Sequence, residues 1–174
     1  MISAIVAVNE DWGIGYNNDL LEHIPADLKF FKTMTTGKTV VMGLNTWNSL
    51  PKKPLPNRFN IIIEPTDYYK EPDAPIAHMD LDTFINNLDD TEYVVMGGGS
   101  IYRQLLPYCD RVYVTKIYKK HENVDTYFPN FISSGNWVLT NISEEKTYKD
   151  ISYQFQDYTR TNGFCLEKCK IDKN

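Results

Sequence analysis

Glu92–Pro107 reads EYVVMGGGSIYRQLLP. A run fit for a buried strand passes through Gly97, Gly98 and Gly99 directly into a helical pattern. Thr39–Pro51, TVVMGLNTWNSLP, repeats the arrangement: a strand, Gly43, then a helix carrying Thr46 and Ser49. Glycine lets the backbone turn sharply and come close to a ligand, and the unpaired N–H groups at a helix start attract phosphate. Singly, each turn reads as a tight connection as readily as a phosphate site. Two of them at the carboxyl ends of parallel strands suit the two ends of a pyrophosphate bridge. The glycine triplet is not the Rossmann fingerprint, because Tyr102 stands where a third spaced glycine would be required.

Outward from these turns, β-rich runs alternate with helical patterns: strand 2 to 8, helix 25 to 35, strand 39 to 42, helix 44 to 50 and strand 59 to 63. A weaker strand at 75 to 78 follows, then helix 81 to 88, strand 93 to 96, helix 100 to 106 and strand 111 to 117. Such alternation implies crossover connections, so the expected fold class is α/β, a single domain with a mostly parallel twisted sheet and helices on both faces. NWVLTNISEE and ISYQFQDYTR alternate apolar and polar residues with no helix between, which predicts an antiparallel pair on the sheet edge. Residues 1–162 are read as the domain and 163–174 as a short charged tail.

Composition narrows the function classes. The 174 residues are 42% hydrophobic and 24% charged, ordinary for one globular domain. A formal charge of -5 argues against a nucleic-acid surface, and the doublets Lys52-Lys53 and Lys119-Lys120 read as solvated loops. Three cysteines, Cys109, Cys165 and Cys169, include no CxxC pair and fit neither a disulfide framework nor a zinc site, so no metal is expected. A reducing cytoplasm is the simplest home. MISAIVAV at the start carries no basic region or cleavage signal and reads as a core strand, and no run reaches membrane-spanning length.

One residue breaks the pattern. In HIPADLKFFK, His23 to Lys32, helical spacing gathers Phe30, Phe31 and Met34 on one stripe and puts Asp27 in the middle of it. With Pro25 at the first helical position, Asp27 suits the helix dipole as a first-turn carboxylate. Alternatively it lies in a cleft where an apolar ring needs one anionic anchor.

Four features in fixed order, MISAIVAV with GIG after it, IPADLKFFK, VVMGLNTWNSLP with PLPNR soon after, and VVMGGGSIY, closely resemble dihydrofolate reductases. RVYVTKI and DTYFP match the family further downstream, so the resemblance runs over roughly Met1 to Tyr158. It implies reduction of 7,8-dihydrofolate to tetrahydrofolate by a reduced nicotinamide, NADPH in the family, with antifolates as inhibitors and a monomer as the working unit. Asp27 would anchor the pterin and promote its protonation, and burial among Phe30, Phe31 and Leu28 would raise its pKa. Thr115 would orient that carboxylate.

For the rest of the substrate, the resemblance implies Ile5, Ala7, Leu28 and Tyr102 at the substrate, Phe31, Leu50 and Leu55 along the aminobenzoyl channel, and Arg58 forked onto the glutamate carboxylate. For the cofactor it implies Ala7, Ile14 and Tyr102 near the nicotinamide and Met96 close by. Thr46, Gly98 and Gly99 would meet the pyrophosphate, with Gly43, Leu44, Asn45, Ser49, Glu64, Ser100 and Ile101 also on the cofactor. Residues 9–24 would be the lid. Three departures stand out: Leu21 and Glu22 replace the lid's Pro and Trp, Leu44 and Asn45 replace a basic residue, and Glu64 replaces small hydroxyl residues near the 2'-phosphate. Glu22 is expected to point to solvent. Glu64 implies tolerance of NADH, unless His78 or a nearby lysine supplies the missing cation. The alternatives are a pyrimidine reductase of the same fold, or a folate-binding or structural module without turnover.

Overall fold

The computed structural model describes residues 1–161; the expected tail, with Cys165 and Cys169, lies outside them. The sheet is built on β1 (Ile2–Val8), β4 (Thr39–Gly43), β5 (Phe59–Ile63), β7 (Ile76–Met79), β8 (Tyr93–Gly97) and β9 (Arg111–Ile117). Their spatial order is β9-β1-β8-β4-β5-β7, every neighbouring pair parallel. β13 (Ile151–Arg160) joins β9 antiparallel and carries β11 (Trp137–Ile142) and β12 (Lys146–Tyr148). β6 (Tyr69–Lys70) closes the other edge against β7.

Chain direction decides which helix covers which face. From β1 the chain steps toward β7 through α1 (Pro25–Thr35) and α2 (Leu44–Ser49); it returns toward β9 through α3 (Leu81–Asn86) and α4 (Gly99–Leu105). Parallel crossovers are right-handed, so helices used in opposite directions fall on opposite faces. The packing agrees. Phe84 of α3 and Ile101 and Leu105 of α4 meet Ala4, Val6, Val41 and Val95, whereas Phe30, Phe31 and Met34 of α1 meet Ile5, Val94 and Tyr113. Trp47 and Leu50, at and after the end of α2, pack on Val40, Met42 and Ile62 on that same face.

The expected strands and helices occur within one or two residues of their expected bounds, and α1 matches at both ends. The short strands β6 and β12 were not expected, nor was a second sheet. Residues 9–24 are not simply a loop: β2 (Gly13–Tyr16) and β3 (Asp19–Leu20) form a small second sheet with β10 (Thr126–Tyr127). Strands this short carry too few residues to display a period-2 pattern.

Candidate active site

Parallel register aligns the carboxyl ends of the strands. Ala7 pairs with Thr115, Gly43 with Ile63, and Ile63 with Met79, while Met42 pairs with Gly97. One edge of the sheet thus carries Thr115, Ala7, the two glycine turns and Glu64.

At one end of this edge, α1 brings its first turn against β9. The Thr115 hydroxyl donates to Asp27 Oδ1 at 2.5 Å. Burial pushes the Asp27 carboxyl above the usual range, and the Thr115 bond opposes this without reversing it. Asp27 is therefore more than a first-turn dipole partner, since its neighbourhood resists the charge. Ile5, Phe30, Phe31, Met34 and Met96 form one apolar cluster on this face of the sheet, and Ala7 joins Ile24 and Ile117 in a second. Leu28, expected to help bury Asp27, is instead 45% exposed. Tyr102 is buried, with its hydroxyl donating to the Ile5 carbonyl at 2.6 Å, and burial followed by the Asp27 charge pushes that phenol up.

Arg58 is built into the structure rather than left on the surface. Its Nε donates to the Pro56 carbonyl at 2.9 Å and its Nη1 to Thr35 Oγ1 at 2.9 Å, at the end of α1. Thr35 Oγ1 in turn donates to the Phe31 carbonyl. Behind Leu55 and Arg58 stands Asn60, fully buried in β5: its Oδ1 accepts from Leu55 N, and its Nδ2 donates to the carbonyls of Leu55 and Arg58. Neither Thr35 nor Asn60 was singled out from sequence. The available signal was a polar residue inside the apolar run FNIII, the same kind of interruption that marks Asp27.

The glycine turns converge. A Cβ on Gly97 would come within 3.0 Å of Thr46 Oγ1, and one on Gly98 within 3.2 Å of the same atom. Gly97 has φ +140°, a conformation that side-chain-bearing residues rarely adopt. The Gly97–Gly98 peptide is cis. Gly43 is tight as well: a Cβ there would lie 3.0 Å from Ile101 Cγ1, so that side chain would have to give. Neither α2 nor α4 has a side-chain cap at its start. These are the features of a cradle that admits a ligand close to backbone, and they fit the pyrophosphate of a dinucleotide. Around it, Leu44, Asn45, Ser49 and Ser100 are exposed and Ile101 is buried; the Ser49 hydroxyl folds back onto the Thr46 carbonyl. Ile14 packs against the main core from β2.

Two residues stand differently from expectation. Glu22 does not point to solvent: its side chain is 18% exposed and its Oε1 accepts from Lys119 Nζ at 2.6 Å and His121 Nε2 at 2.9 Å. Lys119 is accordingly not a purely solvated lysine. Burial pulls the Glu22 carboxyl up, but these two partners outweigh it and hold it below the usual range. His78 is not a spare cation, because Nδ1 lies 3.2 Å from Glu64 Oε2 and Nε2 3.1 Å from Glu71 Oε1.

A parallel sheet whose carboxyl edge joins a glycine cradle to a buried carboxylate is the site of an α/β protein of the nucleotide-binding class. More specifically, the chain belongs to the dihydrofolate reductase family, whose sequence model matches residues 1–160. Dihydrofolate reductase of Bacillus subtilis is 37% identical over 175 residues, covering 94% of this chain and 96% of the relative. That of Neisseria meningitidis serogroup A is 37% identical over 160 residues, covering 91% and 98%. Among solved structures, Enterococcus faecalis dihydrofolate reductase complexed with NADP(H) and RAB-propyl aligns with TM-score 0.80 and 29% identity, over 93% of this chain and 97% of that one.

Proposed function

We propose that this chain reduces 7,8-dihydrofolate to tetrahydrofolate with a reduced nicotinamide dinucleotide, NADPH included, at the site between Asp27 and the glycine cradle. Membership of the family supports the reaction, and the hydrogen-bonded, charge-resisting Asp27 is the observation that carries the assignment of the site. The cofactor, when bound, supplies the hydride. The chain supplies position and electrostatics. Asp27 accepts hydrogen bonds from the polar edge of the pterin and favours protonation of the ring nitrogen beside the carbon that is reduced, while Thr115 keeps the carboxylate aimed. Ile5, Ala7, Leu28 and Phe31 flank the ring, Leu50 and Leu55 the aminobenzoyl group, and Arg58 meets the glutamate carboxylate. Ile14, Met96 and Tyr102 serve the nicotinamide side, and Gly43, Thr46, Ser49, Gly98, Gly99, Ser100 and Ile101 the pyrophosphate.

The working unit in this reading is a monomer acting on a small molecule in the cytoplasm, without nucleic-acid or membrane partners; no helix among the described residues is long and apolar enough to cross a membrane. Loss of reduced-nicotinamide absorbance on mixing protein, cofactor and dihydrofolate, abolished by an antifolate, is the expected result. Ligand binding without turnover would replace the reductase with a binding module.

Cofactor selectivity has its own observation. Glu64 lies one residue beyond Ile63, the partner of Gly43, and 21 residues after Gly43 in sequence (64 − 43), where an acidic side chain suits a ribose 2'-hydroxyl and repels a 2'-phosphate. Leu44 and Asn45 offer no compensating charge, and His78 is shared between two carboxylates. We expect kcat/KM for NADPH and NADH to lie within about tenfold of each other, and Glu64→Ser to shift the ratio toward NADPH by about tenfold, equivalent to about 1.4 kcal/mol. A strong NADPH preference that Glu64→Ser leaves untouched would remove Glu64 from this role.

A further inference from the structure

Asn9 directly follows β1 and is 1% exposed, and its side-chain bonds fix which way its amide faces. Oδ1 accepts from Asp11 N at 2.9 Å and from Gly13 N at 2.7 Å, so both lone pairs are used by backbone donors. Exchanging O for N would set an NH2 group against two N–H groups. Nδ2 is therefore the atom that faces His121 Nδ1, 3.1 Å away, and it has only hydrogens to offer. His121 Nδ1 must accept. The proton of a neutral ring then sits on Nε2, which points at Glu22 Oε1 2.9 Å away.

The donor order runs one way, Asn9 to His121 to Glu22, and Glu22 is kept an acceptor by Lys119 at 2.6 Å. Asn9 begins the segment that Glu22 ends. Between them lie the turn 9–13, β2 and β3, so His121, reaching in from the β9–β10 connection, ties the two ends of this segment together as a stem. The turn is tight: a Cβ on Gly13 would meet Val124 Cγ1 at 2.9 Å and Asn9 Oδ1 at 3.0 Å. Lys116 Nζ, next to Thr115, donates to the Asn9 carbonyl at 3.1 Å and lies over the Trp12 ring.

We propose that Glu22 is a positioning residue: acting through His121, it fixes Asn9 and sets how firmly residues 9–22 close over the cofactor side of the site. This rests on the reductase reading of that site. The stem requires a neutral His121. A second ring proton would face the Asn9 NH2 group and break the bond that orients it. The charged groups around this ring are Glu22 and Lys119, with Lys116 on the far side of Asn9 and Glu10 and Asp11 following it in the turn.

Glu22→Leu, Glu22→Gln and His121→Leu test the stem. Loss of the bonds should speed amide exchange at Asp11 and Gly13 in Glu22→Leu and His121→Leu, and raise the cofactor KM about fivefold to tenfold, with the dihydrofolate KM within about twofold, the size expected when the part-buried bond that orients Asn9 is lost or loosened. Glu22→Gln keeps an acceptor for both donors and should behave as the parent protein, which a general loss of stability would not explain. Unchanged exchange at Asp11 and Gly13 together with an unchanged cofactor KM in both leucine variants would overturn the proposal. Should no variant or parent turn over, the reductase reading fails, while amide exchange still decides the stem.

Discussion

Burial of the Asp27 carboxyl disfavours its charged form, the Thr115 hydroxyl favours it, and burial is the larger effect. A carboxyl whose folded pKa lies above its unfolded one binds its proton more tightly in the fold, so stability is lost as pH rises from the ordinary aspartate range through the raised value. Asp27→Asn removes that charge. Its urea midpoint should exceed the parent's at pH 7, and the difference should shrink toward zero in acid. Activity should move the other way, falling about 10²-fold or more at neutral pH, the usual size of a positioned proton-transfer group's contribution. Thr115→Val separates orientation from charge: without the hydroxyl the Asp27 pKa rises further, and the pH profile of kcat/KM should shift to the alkaline side. A profile that stays in place would mean that the 2.5 Å bond does not tune the carboxyl.

The segment 55–58 depends on a neighbouring strand for its shape, so an element rather than a single residue holds Arg58, the proposed partner of the substrate carboxylate. Asn60 closes three hydrogen bonds onto Leu55 and Arg58 from inside β5, so the loop that presents Arg58 is held by the sheet. Asn60→Ala strips partners from three backbone groups; a loss of about 2–4 kcal/mol is expected from urea unfolding, with the dihydrofolate KM rising more than kcat falls. An unchanged KM would separate this brace from substrate binding. Strand 59–63 was legible as an apolar run, and Asn60 stood inside it as plainly as Asp27 in its helix. What sequence did not offer was the partner, because Leu55 and Arg58 accept or donate through backbone groups common to every residue. Asn9, His121 and Glu22 were hidden for a related reason: the contact joins residues 112 positions apart in sequence, and no local period records it.

At the scale of the whole molecule, the alternation of strands with helices was enough for the α/β class, and right-handed crossovers then dispose α1 and α2 on one face and α3 and α4 on the other. The balance of charges across that frame was not legible, since it depends on which groups the fold buries together. Asp80, bonded to Thr83 at the start of α3, Asp89, and Glu22 are held below their ordinary range, so their contributions are present above it and are lost as pH falls through their depressed values. His78 acts in the opposite direction. Burial lowers its pKa, but Glu71 and Glu64 together more than offset this, and a histidine raised in the fold contributes fully below its ordinary range and loses that contribution as pH rises through the raised value. Calorimetric Tm measured in steps of pH should therefore fall on the acid side and again above the ordinary histidine range. His78→Asn should flatten the second fall alone, whereas Asp27→Asn should change the slope only between the ordinary aspartate range and the raised value, and keep a constant gain in Tm above it. A His78→Asn curve that still declines on the alkaline side like the parent's would show that the clamp between Glu64 and Glu71 contributes nothing to the fold, and that those two carboxylates tolerate each other without the imidazolium between them.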